Sequence, residues 1–398
     1  MSFINASSLP SSPHTHHQRN TQNVMQWVIM ATIPGIIALS YFFGWGTFIN
    51  LILASVTGLI SEALVLRLRH RPIKHALNDY SALVTAVLLG LALPPYAPWW
   101  LVVVGTATSV ILAKQLYGGL GLNPFNPAMV GYVVLLISFP VEMTRWISPV
   151  SLSADGLLPS LMESLTEVFY NSASVFYNSA AVDGYTGSTP LDLLKNDGQL
   201  PSLMESLTAV FYNSAAVDGY TGATPLDLFK NESGLMADQV YQKYTLFSQA
   251  TIAGVGWEWV NVAFLAGGMV LLQKKIFTWH APISMLVALL LMSAIFYNDG
   301  SSSSGGSPLL HLFSGGTMLG AFFIITDPVS SAVSNKGRVI YGAGIGILIY
   351  IIRVWGNYPD AVAFAVLLMN FAAPFIDYYT VPRTYGHKKS ERANKKRD

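Results

Sequence analysis

Cysteine is absent from all 398 residues, and only 11% of them are charged. The first absence excludes disulfides, thiolate-held iron–sulfur clusters and zinc–thiolate sites from this chain, so any electron it carries must sit on something else. The second excludes an ordinary soluble domain of this size, in which about a quarter of residues carry charge. No Walker motif, no Rossmann glycine fingerprint with its acidic partner and no hydrolytic triad is visible. A signal peptide is not expected either, because Arg19 precedes a long first span and no small-residue cleavage site follows a short apolar core. Nothing points to a nucleic-acid partner.

What is present is apolar. Hydrophobic residues make up 52% of the chain, and runs of about twenty recur in both halves, the length that crosses a hydrocarbon core. The expected fold is an all-α polytopic membrane protein of about ten spans. They read as 24–43, 45–66, 77–93, 99–116, 129–141, 259–272, 281–296, 309–325, 339–354 and 361–376. The organisation is a 1–23 tail, a first membrane half over 24–143, an external segment over 144–258, a second half over 259–378 and a basic tail over 379–398. His14, His16 and His17 lie in the first tail and read as solvated rather than metal-binding.

Loop charge orients the chain. With the N-terminus inside, the inner loops hold Arg67, Arg69, Arg71, Lys74, Lys114, Lys274, Lys275, Lys336 and Arg338, whereas the short outer connections hold no Lys or Arg. Both termini are therefore expected to be cytoplasmic. The 144–258 segment falls outside, and over 151–240 it sets only Lys195 and Lys230 against eleven acidic residues. Five spans on either side of it suggest an inverted repeat. The third span of each half ends at a proline, Pro94-Pro95 and Pro328, as interrupted helices around a midplane site would.

The external segment is duplicated. Leu158 to Thr166 recurs as Leu200 to Thr208, so that 158–199 and 200–231 read as tandem copies of one loop. Each copy carries a related motif, Asp183-Gly184-Tyr185-Thr186-Gly187-Ser188-Thr189-Pro190 and Asp218-Gly219-Tyr220-Thr221-Gly222-Ala223-Thr224-Pro225. On residue chemistry alone this is a turn. Gly222 supplies unusual backbone angles, and Pro225 biases Thr224 towards an extended conformation.

That motif lies outside a ten-span domain that also contains Asp79-Tyr80-Ser81-Ala82-Leu83-Val84-Thr85-Ala86, Asn123-Pro124-Phe125-Asn126-Pro127-Ala128 and Ile325-Thr326-Asp327-Pro328. Together these motifs resemble the NqrB/RnfD family: the D subunit of Rnf-type (Rsx) ion-translocating electron-transport complexes and, more distantly, the NqrB subunit of the sodium-pumping NADH:quinone oxidoreductase. The resemblance covers nearly the full length. It implies a covalent FMN, with the last threonine of the motif esterified to the flavin phosphate by a separate flavin transferase. Carried over by position, that residue is Thr224, with Asp218, Thr221, Gly222 and Ala223 as its motif. Thr189 is the weaker alternative, because Ser188 stands where the pattern has alanine. The resemblance also implies partner subunits, on which nicotinamide or ferredoxin would be oxidised, and allows a second, non-covalent flavin. Membrane lipid is the remaining partner.

Ionisable groups in or near spans are candidates for ion movement, because each is expensive to bury in a bilayer. Glu62, Asp79 and Asp327 are the candidates, while Arg353 and Asp377 read as span-end residues touching water or headgroups. Gly315-Gly316, Gly320, Gly342, Gly344 and Gly346 read first as close helix packing and second as backbone approach to the further flavin. The expected function is a flavin-carrying membrane subunit of a redox-driven pump for Na+ or H+. Its rivals are a secondary transporter or channel for a small solute, and a structural scaffold for redox partners.

Overall fold

The computed structural model describes residues 20–147, 149, 161–165, 168–169, 223–232, 234–248, 250–301, 305–356, 358 and 360–380. The candidates Thr189, Asp218, Thr221 and Gly222, most of the duplicated segment and both polar tails lie outside them. Among the described residues the regular structure is helical, with no β-strand. The apolar helices are α1 (Thr21–Phe43), α2 (Gly46–Leu68), α3 (Ser81–Ala92), α4 (Trp99–Thr108), α5 (Pro127–Ser138), α6 (Trp257–Gln273) and α7 (His280–Ile295). They continue with α8, broken into Pro308–Phe313 and Thr317–Leu319, then α9 (Asn335–Trp355) and α10 (Val362–Thr380). By length and composition α1, α2, α9 and α10 can each cross a membrane, and α3, α5 and α7 are shorter apolar helices. The protein is a multi-pass membrane protein.

Local chemistry explains where these helices start and stop. Asn126 accepts the Met129 N–H at the start of α5, with Pro127 in the first helical position. Ser307 and Ser334 cap α8 and α9 in the same way. The helix expected from about residue 77 begins at Ser81 instead, because Tyr80 takes a left-handed φ of 60° and separates it from the short helix Ile73–Leu77. Gly44, at φ 87°, makes the turn between α1 and α2 without the penalty a side chain would bring there.

The end of α4, Ser109–Gln115, and the end of α8, Gly320–Ile324, are wound as π-helix. Two buried asparagines satisfy backbone freed at interrupted helices. Asn50 Nδ2 donates to the carbonyls of Pro94 and Pro95 at 2.8 and 3.1 Å. Asn261 Nδ2 donates to those of Phe313 and Gly315 at 3.0 and 3.1 Å, while its Oδ1 accepts the Met318 N–H at 3.1 Å. Unpaired groups at these depths would each be costly, so the two side chains make the breaks tenable.

The small residues of α9 serve packing. A Cβ on Gly342 would lie 2.3 Å from the Ala281 carbonyl oxygen, and one on Gly346 would lie 2.3 Å from that of Met285, so α9 meets α7 at backbone distance. Gly344 faces Met369 of α10, and Gly320 faces Val362.

Outside these helices, Pro225–Asn231, Ala237–Lys243 and Thr245–Ser248 form a small separate core. Val240, Leu246, Phe247, Ala253, Val255 and Leu310 fill it. Phe229, Tyr241 and Phe247 meet edge to face with centroids 5.1–5.4 Å apart. The carboxylate of Glu258 in the first turn of α6 accepts N–H bonds from Thr251, Ile252 and Ala253 and ties this region to the helices.

Candidate functional site

Thr224 stands immediately before the helix Pro225–Asn231, in the extended conformation (φ −67°, ψ 158°) that a residue before proline favours. It is the N-cap of that helix. Its Oγ1 accepts the Asp227 N–H at 3.2 Å and donates to Asp227 Oδ2 at 2.5 Å, and its own N–H donates to the same carboxylate oxygen at 3.2 Å. This is a closed capping box, with aspartate in the position more often held by glutamate. The side chain is only 8% exposed, whereas Ala223 beside it is exposed.

The cap is seated over the membrane helices. Pro225 and Leu226 are buried, Pro225 against Gly254 and Leu226 beside Gly315. Lys230 Nζ donates to the carbonyls of Tyr358 at 2.8 Å and Arg353 at 3.4 Å, pinning the far end of the short helix to the end of α9. Burial pushes the Asp227 carboxyl above the usual carboxylate range, against the pull of its bonds from Thr224. Burial likewise lowers the Lys230 ammonium, with Asp227 acting in the opposite sense.

Thr224 and Asp227 stand on the wall of a narrow cavity that runs between the helices and holds about 80 Å³. The lining is apolar and aromatic, with Tyr132, Trp146, Trp257 and Phe264, and Gly315 and Gly316 at one side. Trp146 and Trp257 lie 4.6 Å apart, and Trp257 packs edge-on to Phe43 at 5.1 Å. Asp360, also on the wall, accepts the Gly316 N–H and pairs with Arg353 at 3.3 Å. Thr224 thus brings a hydroxyl-bearing residue to a narrow, largely apolar and aromatic cavity.

The membrane candidates separate into two groups. Glu62, 1% exposed, pairs with buried Lys114 at 2.6 Å, and Gln115 Nε2 donates to the same oxygen at 2.7 Å. Lys114 also donates to Ser81 Oγ at 2.6 Å, and Ser81 Oγ donates to Asp79 Oδ1 at 2.5 Å. One hydrogen-bonded chain thus joins Glu62 to Asp79. Among the described residues Glu62 Oε2 and Gln115 Oε1 have no hydrogen-bond partner. A polar cavity of about 470 Å³, lined by Glu62, Arg71, Asn78, Asp79 and Gln115, opens beside the chain. Asp327 accepts from Ser330 Oγ at 2.7 Å and lines a second cavity with Asn123 and Asn126, whose wall also includes Ser81 and Lys114 of that hydrogen-bonded chain.

Two readings are corrected. Lys114 is not a loop cation: it is buried in the π-helical stretch 109–115 and pairs with Glu62. Nor is Arg353 a span-end residue in water: it is 5% exposed and donates to the His311 carbonyl at 2.7 Å and Thr317 Oγ1 at 2.9 Å. Asp377 accepts the Val333 N–H at 2.9 Å at an exposed position, in keeping with a span end. Asp227 and Trp146 escaped the sequence reading. The spacing Thr-x-x-Asp was the visible signal for Asp227; nothing in the sequence set Trp146 apart.

A family model described as NQR2, RnfD, RnfE family matches residues 8–386. The chain is 54% identical over 384 residues to the D subunit of the ion-translocating oxidoreductase complex of Cellvibrio japonicus, covering 96% of each chain. Proteins of the same description from Ectopseudomonas mendocina and Pseudomonas aeruginosa are 50% and 49% identical, over 95% and 98% of this chain and 96% and 98% of theirs.

Proposed function

This chain belongs to the NQR2, RnfD, RnfE family, and from that premise we propose that it is the D-type membrane subunit of an ion-translocating oxidoreductase complex, carrying FMN as a phosphoester on Thr224. The observation that carries the reading is the position of Thr224 on the wall of the aromatic cavity, with its hydroxyl bonded to Asp227. FMN would supply reversible electron uptake that no cysteine-free chain of this composition supplies by itself. Thr224 would hold the phosphate, and Tyr132, Trp146 and Trp257 would shelter the ring. The tether leaves the ring free for electron exchange and prevents loss of the cofactor. Thr189 is the alternative attachment point.

The proposed setting is a bacterial inner membrane with both termini cytoplasmic and the flavin segment periplasmic. Its support is the contrast between the basic inner loops and the acidic external segment. The two halves are proposed to form an inverted repeat, supported by α3 ending before Pro94-Pro95 and the π-helical end of α8 stopping before Pro328. Ion movement, of Na+ or H+, is assigned to the buried Glu62–Lys114–Ser81–Asp79 chain beside its polar cavity. A second, non-covalent flavin is proposed beside the cavity of about 100 Å³ lined by Asn123, Asn126 and Asp327, where Asn123 Oδ1 has no partner among the described residues. The α9 glycines are occupied by packing. Partner subunits and a flavin transferase complete the proposal.

The test is co-expression with the flavin transferase, followed by in-gel fluorescence of denatured protein. A fluorescent band is expected in the wild type and a loss of most of it in Thr224→Val. A band that persists in full after Thr224→Val and Thr189→Val together refutes covalent attachment at this motif. A protein that never binds flavin but moves solute by itself would be a transporter.

A further inference from the structure

Esterifying a threonine removes its hydroxyl proton, and something must receive it. A free alcohol is a poor nucleophile until an adjacent base takes that proton, and such a base must lie within hydrogen-bond reach. Thr224 has one in its own chain. Its Oγ1 already donates to Asp227 Oδ2 at 2.5 Å, and the reverse bond from the Asp227 N–H holds the oxygen in place. The carboxylate is supplied by the first turn of the helix that Thr224 caps, so the donor–acceptor pair is fixed by local backbone geometry.

We propose that Asp227 is the general base for loading the flavin onto Thr224, taking the hydroxyl proton as the phosphoester forms. This rests on the reading of Thr224 as the attachment point. In the step, a bond forms between Thr224 Oγ1 and the phosphorus of a flavin whose phosphate is activated as a phosphoanhydride. The anhydride P–O bond breaks and its electron pair leaves with the departing phosphate. The proton passes from Oγ1 to Asp227 Oδ2, and no electron is gained or lost by the flavin. Once protonated, Asp227 becomes a donor facing an anionic phosphodiester instead of a second negative charge beside it. Burial, which raises this carboxyl, favours the neutral form that the product needs. Lys230 on the same helix, and Asp360 and Tyr132 across the cavity, are the other titratable groups near it. In the duplicated copy Asp192 stands at the same offset from Thr189, so the base itself does not choose between the copies.

The same contacts close the capping box, and a merely structural role must be separated from a chemical one. Glutamate and glutamine both close such a box at this position, and only glutamate is a base. The experiment compares Asp227→Glu with Asp227→Gln in the full-length, membrane-embedded protein, following flavin incorporation with time in the presence of the transferase and the activated flavin nucleotide. Incorporation is read by in-gel fluorescence and by the mass of the peptide bearing Thr224. The glutamate variant is expected to load within about threefold of wild type, and the glutamine variant on the order of a hundredfold more slowly. Equal rates in the two variants, whether both fast or both lost, overturn the proposal. Failure of the wild type to load at Thr224 would instead overturn the attachment site itself.

Discussion

Lys114→Met tests how deeply buried and interdependent the Glu62–Lys114 pair is. In the wild type Glu62 Oε1 receives Lys114 Nζ at 2.6 Å and Gln115 Nε2 at 2.7 Å, and Oε2 receives nothing among the described residues. Methionine keeps most of the lysine stem, so the packing change is small. The carboxylate, however, is left with one neutral donor at a residue only 1% exposed. Breaking a buried pair from one side costs about 3–5 kcal/mol. Melting of the purified protein in mild detergent should therefore drop by on the order of 5–10 °C. The double variant Glu62→Gln with Lys114→Met removes both charges and should recover most of that loss, because the penalty belongs to the stranded partner rather than to the absence of the pair. A single variant that melts with the wild type, or a double variant no more stable than the single, refutes the reasoning.

Three other outcomes follow from the geometry. Asn261→Ala strands the carbonyls of Phe313 and Gly315 and the Met318 N–H together; a loss of at least about 2 kcal/mol is expected in melting experiments. Gly342→Ala already drives a Cβ to 2.3 Å from the Ala281 carbonyl oxygen and 2.2 Å from Ser284 Oγ, and should lower the yield of monodisperse protein well below wild type, with Gly342→Leu lower still. Asp227 has a raised carboxyl, so its contribution to the docked Pro225–Asn231 helix is fully present below the unfolded-state value and is lost as pH rises through the folded one. Lys230, Asp360 and Tyr132 are the other ionisable groups that face it. Hydrogen-exchange protection of that helix, corrected for intrinsic rates, should fall with rising pH in the wild type and more weakly in Asp227→Asn.

Much of the membrane architecture was legible, because long apolar runs and prolines act locally. The ends of α3 and α8 were marked by Pro94-Pro95 and Pro328, and the α9 glycines by their spacing. What sequence could not show depended on winding and on contacts between distant segments. Lys114 pairs with Glu62, 52 positions away, from within a π-helical stretch with no residue signature. Arg353 lies near a span end, yet its partners come from the break in α8 and from Asp360. Thr224 was visible as a motif. Its cavity was not, because Tyr132, Trp146 and Trp257 come from separate parts of the chain.

The central claim is most directly tested by peptide mass mapping of the protein purified after co-expression with its flavin transferase. Cleavage after Lys195 and Lys230 places Thr189 and Thr224 on different peptides. The predicted result is an FMN phosphoester on the 196–230 peptide, localised by fragmentation to Thr224. A flavin-loaded protein whose 196–230 peptide is unmodified would contradict it.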